Sequence, residues 1–381
     1  MNFDLNEEQS EIRDMVRRFT EQEITPHAEE WDEQYHFPRE VFEQMGALGL
    51  MGMTTPEEYG GGALDRLTGV LVYEELAKGD MGTAVGLSVH NMITGTLARF
   101  GSEEQRERWV RDLAAGRLQG AFSLSEAEAG SDAASLQCRA ERQGDSYVIN
   151  GTKMWVTSGG VADIYLLMAR TQPGIGSAGI SSFVVEKGTP GFSFGKQERK
   201  MGLHSSPTRE LIFENCVIPA ANRIGEEGQG LKIALSSLDS GRVNIGAIAV
   251  GVAQAAFETA RDYARERQQF GHPISSFQAI QFMLADMAMK IEAARLLVYE
   301  AASKPEGSRE AAMHAAMAKC FATDTAMEVT TNAVQVLGGA GYVRDYPVER
   351  YMRDVKVAQI FEGTNQIQRI VIARALLGNL Q

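Results

Sequence analysis

A block of strand-forming segments lies between two long helical segments in this chain, and this order is the strongest constraint on its fold. Between Gly120 and Pro219, runs rich in β-branched and aromatic residues alternate with glycines and prolines. The clearest runs are residues 147–157, 164–168, 181–185 and 210–213. Asn150-Gly151, inside the first run, predicts a β-hairpin turn between two short strands. The pattern therefore predicts a small antiparallel β domain that ends near Pro219.

Helical periodicity precedes this block. Residues 7–23 and 67–76 carry apolar side chains at helical spacing. Ser102 stands before two glutamates and is the predicted N-cap of a further helix.

The segment after the block is also helical. Residues 280–298 have apolar side chains at steps of three and four, and Ser275 or Ser276 is the predicted cap of this helix. A second long helix, residues 309–337, is predicted to end at Gly338.

We therefore predict a mainly α protein with a middle β domain. The predicted units are an N-terminal helical domain at 1–119, the middle β domain at 120–226 and a C-terminal helical bundle domain at 227–381. A chain of 381 residues is long enough for two or three domains with a large shared core.

Charge and composition argue against several kinds of partner. A net charge of −13 disfavours nucleic acid, because a phosphate backbone would be repelled. The three cysteines are far apart and the histidines form no i, i+4 pair, so no metal site is expected. The longest apolar run, residues 245–253, has about half the length of a membrane span. With no targeting signal at the N-terminus, we expect a cytoplasmic protein without a membrane span.

One carboxylate near the C-terminus has a setting that suits acid–base chemistry. Glu362 follows Ile360 and Phe361 and precedes Gly363. Apolar surroundings solvate a carboxylate poorly, so its pKa is expected to rise toward the range where it accepts and holds a proton. Thr364 is the predicted N-cap of the next helix. Taken alone, the segment also fits a glutamate that merely favours a helix dipole.

Two segments near the β domain carry candidate ligand-binding residues. Residues 122–132 combine small, hydroxyl and acidic side chains, which suit carbonyl, phosphate or amide groups of a ligand but also form ordinary loops. Trp155 and Thr157 stand beside glycines at a strand end, where they fit either a flat ring system or a tryptophan in the core.

Three further segments lie in the helical part. Residues 335–341 are glycine-rich but lack the spacing and strand context of a dinucleotide fingerprint. Arg267 suits a bidentate contact to phosphate, or it belongs to a solvated charge run. Arg242 lies among small apolar residues and needs a partner, for which Asp239 is the structural candidate.

Taken together, five motifs resemble the acyl-CoA dehydrogenase family. They are Phe122-Ser-Leu-Ser-Glu with Gly130-Ser-Asp, Met154-Trp-Val-Thr, Arg267-Gln-Gln-Phe-Gly, Gln335-Val-Leu-Gly-Gly and Phe361-Glu-Gly-Thr-Asn-Gln-Ile-Gln. The resemblance covers essentially the whole chain, with the motifs in the family's order. It implies an N-terminal helical domain, an antiparallel β-barrel-like middle domain and a C-terminal four-helix bundle.

The resemblance implies FAD-dependent oxidation of an acyl-CoA. Glu362 matches the family's general base, which removes the α-proton of the thioester while a hydride leaves the β-carbon for flavin N5, giving a trans-2-enoyl-CoA. The Glu362 backbone N–H and the flavin ribityl 2′-hydroxyl would stabilise the developing enolate. The family passes its electrons to an electron-transfer flavoprotein and assembles as a homotetramer, a dimer of dimers.

The resemblance also implies binding roles by position. The residues that match cofactor contacts are Phe122, Leu124, Ser125, Trp155, Thr157, Arg267, Phe270, Gln278, Gln335, Gly338, Gly339, Thr364 and Gln366. Arg267 and Gln278 would reach the FAD of a neighbouring subunit. Ser131, Asp239, Arg242 and Gly363 match substrate contacts.

Gly241 bears on both the base and the subfamily. Some family members carry the base at this position, where the present chain has no side chain, so Glu362 is the candidate that remains. Gly241, residues 88–91 and residues 188–195 resemble the short-chain and isobutyryl-type branches. The implied substrate is a short straight or α-branched acyl-CoA, from fatty acid or branched-chain amino acid catabolism.

One segment departs from the family pattern. Ala127-Glu128 stands where the family usually has Pro-Gly. This change is expected to alter the loop that holds Ser125 and Ser131, and therefore the contacts of both residues.

Two other functions stay open at this point. An oxidase of the same fold would pass electrons directly to O₂. A non-catalytic helical assembly protein would have lost its cofactor, although the intact Trp155, Thr157, Arg267 and Glu362 argue against this. A nitroalkane-oxidising relative would be expected to carry aspartate as its base.

Overall fold

The helices that precede the β domain occupy the predicted part of the chain. The computed structural model describes residues 5–305 and 307–378. Its first helices are α1 (Glu7–Phe19), α2 (Ala28–Gln34), α3 (Arg39–Ala47), α4 (Arg66–Gly79), α5 (Met81–Phe100), α6 (Glu103–Gln105) and α7 (Arg111–Ala114). The predicted N-cap Ser102 is confirmed, since its hydroxyl accepts a hydrogen bond from the Gln105 N–H and the Gln105 side chain bonds back.

The middle segment forms one largely antiparallel sheet. Its strands are β1 (Gly120–Ser123), β2 (Arg139–Gln143), β3 (Ser146–Thr157), β4 (Ile164–Arg170), β5 (Ile180–Glu186), β6 (Phe192–Gln197), β7 (Thr208–Pro219) and β8 (Arg223–Ile224). They follow the order β6-β7-β3-β2-β4-β5-β8, and β1 pairs with β4 in parallel, with Gly120 opposite Ile164. β2 also pairs with β4 in parallel, with Arg139 opposite Arg170, and these two parallel pairings depart from the purely antiparallel arrangement that the sequence suggested.

The predicted hairpin at Asn150-Gly151 is wrong. Both residues lie inside the single 12-residue strand β3, where the pairing with β7 shifts register between Ile149 and Gly151. Gly151 has φ of +143°, and a Cβ there would lie 2.7 Å from the Cα of Cys138. The glycine therefore serves a β-bulge and a close approach of two chain segments, and not a turn.

The C-terminal segment is a helical bundle built around a very long helix. Its elements are α8 (Gly230–Glu266), the short strands β9 (Gln268–Gln269) and β10 (His272–Pro273), α9 (Gln278–Ser303), α10 (Arg309–Leu337), α11 (Gly339–Tyr342), α12 (Val348–Val355) and α13 (Asn365–Leu377). α8 packs on α9 and α10 and, across the molecule, on α4 and α5. At Gly251 the approach is so close that a Cβ would lie 2.1 Å from the backbone oxygen of Glu74.

The caps of the bundle helices match the sequence in part. The predicted helix at 309–337 is confirmed, and Gly338 ends it with φ of +60°. The predicted cap of α9 is wrong, because Ser275 and Ser276 lie in a 3₁₀ turn and Phe277, at the N-cap, provides no side-chain hydrogen bond.

Among the described residues, α8 is the helix whose length and apolar composition would suffice to cross a membrane. Within this structure, 72% of its most apolar window is buried. Its apolar composition is therefore explained by its place as the central core helix of the protein.

Candidate active site

Glu362 lies in a tight turn that joins a 3₁₀ segment, Lys356–Gln359, to α13. Glu362 itself has φ of +55° and Gly363 has φ of +86°. A glutamate in the left-handed region is strained, so the surrounding contacts must hold it there. The Gln368 side-chain amide does so by donating to the carbonyl oxygens of Glu362 (3.1 Å) and Gly363 (2.8 Å). Thr364 is confirmed as the N-cap of α13, since its hydroxyl accepts from the Ile367 N–H.

Glu362 is half-buried, and one oxygen of its carboxylate is shielded from water. Its Oε2 atom is buried, with no hydrogen-bond partner within the described part of the protein. Burial raises the pKa of Glu362 to about 7, while the positive charges of Arg242 and Lys319 oppose the rise. The increase expected from the apolar sequence setting is confirmed, and it gives a carboxylate that can take up a proton near neutral pH.

Gly241 on α8 leaves the space that this carboxylate occupies. A Cβ at Gly241 would lie 2.7 Å from Oε2 of Glu362 and 3.0 Å from its Cδ and Oε1. The absence of a side chain at this position is therefore a steric requirement of the Glu362 conformation.

Arg242 and Asp239 form the ion pair that the sequence suggested. The Arg242 Nη1 atom lies 2.6 Å from Oδ1 of Asp239, and the Arg242 side chain is buried. Its Nε atom lies 3.5 Å from the carbonyl oxygen of Glu362, a marginal hydrogen bond. The pair thus places a compensated positive charge beside the turn.

Lys319 on α10 is a site residue that the sequence analysis missed. Its amine is fully buried and donates to the carbonyl oxygen of Gly363 (2.9 Å) and to Oδ1 of Asn365 (2.8 Å). Burial lowers the pKa of Lys319 to about 8. A signal existed, because Lys319 interrupts a buried alanine face formed by Ala315 and Ala322 at helical spacing.

Glu362 lies where two cavities meet. The outer cavity has a volume of about 640 Å³ and the inner cavity about 220 Å³. Of the predicted site residues, Ser125, Ser131, Trp155, Thr157, Glu362 and Gly363 line both. Phe122, Leu124 and Arg242 line the inner cavity and Thr364 lines the outer one. The structure therefore brings ten of the predicted residues together, six from the middle β domain and four from the C-terminal helical domain.

A second bulge in β3 turns Trp155 toward these cavities. The pairing with β7 shifts between Lys153 and Val156, and Trp155 has φ of +56°. Its side chain lies at the cavity surface, with the residue 53% exposed. The alternative of a tryptophan in the core is therefore wrong. The Met154 N–H donates to the Ser125 carbonyl at 2.9 Å and ties the neighbouring loop to the strand.

A buried ion pair supports the loop at residues 124–131. The Lys153 amine donates to Oε1 of Glu126 (2.7 Å) and to the carbonyl oxygen of Leu124 (2.8 Å). Burial lowers the pKa of Lys153. Glu126 also accepts from the backbone N–H groups of Gln137 and Cys138, so its carboxylate is well satisfied. The loop therefore has a rigid base.

Ala127-Glu128 forms the exposed tip of this loop. On either side, Glu126 and Ala129 exchange two backbone hydrogen bonds of 3.1 and 3.2 Å. Neither tip residue has positive φ, so the turn forms without the usual Pro-Gly. Ser131 still reaches both cavities from the far side of the turn.

The remaining predicted residues lie elsewhere in the chain. Arg267, Phe270, Gln278, Gln335, Gly338, Gly339 and Gln366 are exposed and line neither cavity. At 1.5 Å per residue, the stretch of α8 from Gly241 to Glu266 spans about 38 Å, so Arg267 is far from Glu362 in the same chain. Asp239 is near Arg242 but lines neither cavity.

The fold and the site define an oxidoreductase of one family. Models of that family match the chain in three parts: "Acyl-CoA dehydrogenase, N-terminal domain" at residues 6–117, "middle domain" at 121–216 and "C-terminal domain" at 228–377. The chain belongs to the acyl-CoA dehydrogenase family of flavoproteins.

Relatives of known name place it near the short-chain and isobutyryl-type branches. A probable acyl-CoA dehydrogenase of Mycobacterium tuberculosis is 50% identical, with 98% of this chain and 97% of the relative covered. The short-chain specific acyl-CoA dehydrogenase of Clostridium acetobutylicum is 46% identical (98% and 99% covered). The mitochondrial isobutyryl-CoA dehydrogenase of Bos taurus is 45% identical (98% and 90% covered).

Solved structures have the same fold. Butyryl-CoA dehydrogenase from Megasphaera elsdenii superposes with a TM-score of 0.95 at 44% identity, covering 99% of this chain and 100% of its own. A structure described under the electron transferring flavoprotein of Acidaminococcus fermentans gives a TM-score of 0.96 at 50% identity, with both chains fully covered.

Proposed function

We propose that this protein is an FAD-dependent dehydrogenase of a short straight or branched acyl-CoA, with Glu362 as the general base. The observation that carries the proposal is the Glu362 carboxylate, with its buried and unpartnered Oε2, at the junction of the outer and inner cavities. A carboxylate with a pKa near 7 is ionised in part at neutral pH and is a much stronger base than one in water.

The outer cavity fits a flavin. Its volume of about 640 Å³ lies within the range of small-molecule sites. Trp155 offers a partly exposed ring for stacking, and Ser125, Thr157 and Thr364 offer hydroxyl groups. When bound there, FAD would supply the hydride acceptor. We assign Phe122 and Leu124, which line the adjoining inner cavity, to the same ring system.

The inner cavity fits a short acyl group. Its volume is about 220 Å³, and apolar side chains of Val89, Met92, Leu238 and Ile245 line it together with Glu362. These walls exclude water from the acyl α-carbon, which keeps the Glu362 carboxylate desolvated and basic. Ser131, Arg242 and Gly363 would then contact the thioester and the first part of CoA, with Asp239 holding Arg242 in place.

Four residues of this chain would have separate roles in removal of the α-proton. Glu362 accepts the α-proton through its carboxylate, and its backbone N–H would donate to the thioester oxygen as negative charge develops there. Arg242 and Lys319 limit the rise of the Glu362 pKa, so that an ionised base is available near pH 7. Gly241 leaves the space in which the carboxylate is held.

We propose that the binding residues far from Glu362 act on a second copy of the chain. Arg267, Phe270 and Gln278 are exposed beyond the end of α8, and Phe270 is 91% exposed. An apolar stripe on α9, formed by Phe282, Met289 and Leu296, is also exposed. Both features favour a homotetramer, a dimer of dimers.

We propose that exposed polar residues and glycines near the C-terminal ends of α8 and α10 bind the cofactor of a neighbouring subunit. In such an assembly Arg267, Gln278, Gln335, Gly338 and Gly339 would bind the FAD phosphates and adenosine, and Gln366 would complete the site. We further propose an electron-transfer flavoprotein as acceptor, in line with the relative described under that protein. The proposed location is the cytoplasm.

Anaerobic bleaching of the flavin tests the proposal. The purified protein, loaded with FAD, is mixed with butyryl-, isobutyryl-, 2-methylbutyryl-, isovaleryl- or octanoyl-CoA. We expect bleaching to be fastest with one of the short substrates. A protein that stays colourless after FAD is added, or that no acyl-CoA bleaches, contradicts the proposal. Hydrogen peroxide formed in air at the rate of turnover, without added acceptor, would identify an oxidase instead.

A further inference from the structure

Asp324 on α10 is bonded to both ends of the segment that carries Glu362. The Gln359 side-chain amide donates a hydrogen bond to Oδ1 of Asp324 at 2.6 Å. The Asn365 side-chain amide donates to the same oxygen at 2.7 Å. Gln359 lies three residues before Glu362, and Asn365 lies three residues after it. One carboxylate oxygen therefore joins the two ends of the segment 359–365.

The two ends differ in how firmly α10 holds them. Asn365 is buried, its Oδ1 atom accepts from the Lys319 amine at 2.8 Å, and its amide also donates to the Thr323 hydroxyl at 2.9 Å. Gln359 is half-buried, and Asp324 supplies its hydrogen bond to α10. Loss of the Asp324 carboxylate would therefore release the Gln359 end, while Asn365 stays in place.

The backbone of Glu362 needs support of this kind. Its φ of +55° lies in the left-handed region, which a residue with a side chain adopts only when the surrounding contacts hold it there. The carboxylate also has a narrow position, beside the space that Gly241 leaves on α8. A turn released at one end would relax and would carry the carboxylate away from this position.

Asp324 is suited to act through the turn and not on a ligand. It lines neither the outer nor the inner cavity. Burial acts to raise the pKa of Asp324, but the hydrogen bonds that the carboxylate accepts outweigh this and lower the pKa. Its second oxygen, Oδ2, pairs with Arg369 at 2.8 Å in a solvent-exposed ion pair, which contributes little by itself. The two bonds at Oδ1 are therefore the contacts that matter for the turn.

We propose that Asp324 is a positioning residue for Glu362, because it joins Gln359 to Asn365 and so holds the turn in the conformation that places the carboxylate for removal of the α-proton. This inference rests on the proposed function, since it concerns the geometry of the proposed base.

The first test removes the joining oxygen. Asp324→Ala lacks it, whereas Asp324→Asn keeps an acceptor oxygen of the same reach and serves as the matched variant. Flavin reduction by butyryl-CoA is followed anaerobically in the FAD-loaded protein at pH 8, over a range of substrate concentrations. We expect the limiting rate constant to fall about tenfold in Asp324→Ala, as a displacement of about 0.5 Å would give if 1 Å costs about 10²-fold. The half-saturating concentration should stay near the wild-type concentration, and Asp324→Asn should recover most of the limiting rate.

The second test separates the bonds at Oδ1 from the ion pair at Oδ2. Arg369→Met removes the ion pair but leaves both amides on Oδ1, so its limiting rate constant should stay near that of the wild-type protein. Gln359→Ala removes one of the two bonds at Oδ1 and should lower the limiting rate constant toward that of Asp324→Ala.

The outcomes separate the positioning role from the proposed function. An Asp324→Ala protein that binds FAD and keeps the wild-type limiting rate constant overturns the positioning role alone. Equal losses in Asp324→Ala and Asp324→Asn, or a change confined to the half-saturating concentration, also overturn it. If Asp324→Ala fails to fold, an unchanged limiting rate constant in Gln359→Ala has the same meaning. A wild-type protein that no acyl-CoA bleaches overturns the proposed function and the positioning role together.

Discussion

Gly241 offers a way to disturb the Glu362 carboxylate without disturbing the fold. Gly241→Ala would place a methyl group 2.7 Å from Oε2 of Glu362 and 3.0 Å from its Cδ. These atoms belong to the end of a flexible side chain, so the carboxylate moves while both backbones stay in place. Gly241 lies inside α8, where alanine is about 0.8–1.0 kcal/mol more favourable than glycine. The substitution is therefore expected to cost activity and not stability.

The expected loss follows from the size of the displacement. Relief of a 2.7 Å contact to an ordinary distance near 3.5 Å shifts the carboxylate by about 1 Å, and a misplacement of that size costs about 10²-fold in rate. This factor corresponds to about 2.7 kcal/mol in the activation free energy. The helix gains at most about 1 kcal/mol, so the two effects have opposite signs and separate cleanly.

Stopped-flow reduction of the bound flavin under anaerobic conditions measures the effect. We expect the first-order rate constant with saturating butyryl-CoA to fall about 100-fold in Gly241→Ala, with FAD still bound and the melting temperature equal or higher. Thr259→Ala lies on the same helix but outside both cavities, and it serves as the control for effects of a substitution in α8 that do not involve Glu362. A rate constant within about twofold of wild type would refute the steric argument, because the 2.7 Å contact would then have no consequence for the base.

Three further predictions concern the charges of the site. Flavin reduction by butyryl-CoA should slow as pH falls through about 7, because protonated Glu362 cannot accept the α-proton; a rate that stays constant down to pH 5 would contradict this. In Lys319→Met the loss of a positive charge should raise the Glu362 pKa further, so the midpoint of the same pH profile should move upward; an unmoved midpoint argues against electrostatic coupling. Arg267→Ala should weaken retention of FAD on gel filtration, and unchanged retention would contradict the contact between subunits.

Stability should follow the same titration, with a sign that can be worked out. The pKa of Glu362 is raised on folding, so between pH 4.5 and about 7 the native state holds more protons than the unfolded state. The folding free energy contributed by this group therefore becomes less favourable as pH rises through that window, by about 3 kcal/mol at most. Glu362→Gln removes the titration, so its gain in melting temperature over wild type should be larger at pH 8 than at pH 5.

Local signals in the sequence predicted much of the fold. The caps at Ser102 and Thr364 depend on a hydroxyl and on amides within three residues, and Gly338 ends α10 through its own backbone freedom, so all three were predicted correctly. The hairpin at Asn150-Gly151 was not, because the neighbouring strand β7 and Cys138 decide the conformation there, and both are distant in sequence.

The candidate site, like the fold, was predicted correctly where local sequence decides it and missed where distant contacts do. The apolar neighbours of Glu362 are adjacent in sequence, so its raised pKa was predictable. Lys319 supports the turn through hydrogen bonds to residues 44 and 46 positions away, and the left-handed conformation of Trp155 depends on a bulge against β7. Contacts of this kind come from packing of separate elements, which residue spacing alone does not encode.

Glu362→Gln tests the central claim most directly. The amide is close in size to the carboxylate but cannot accept the α-proton, while the other residues that line the outer cavity are unchanged. With FAD bound and a fold matching wild type, the account predicts that butyryl- and isobutyryl-CoA nearly cease to bleach the flavin under anaerobic conditions. Reduction at a rate close to that of the wild-type protein would contradict the assignment of Glu362 as the base.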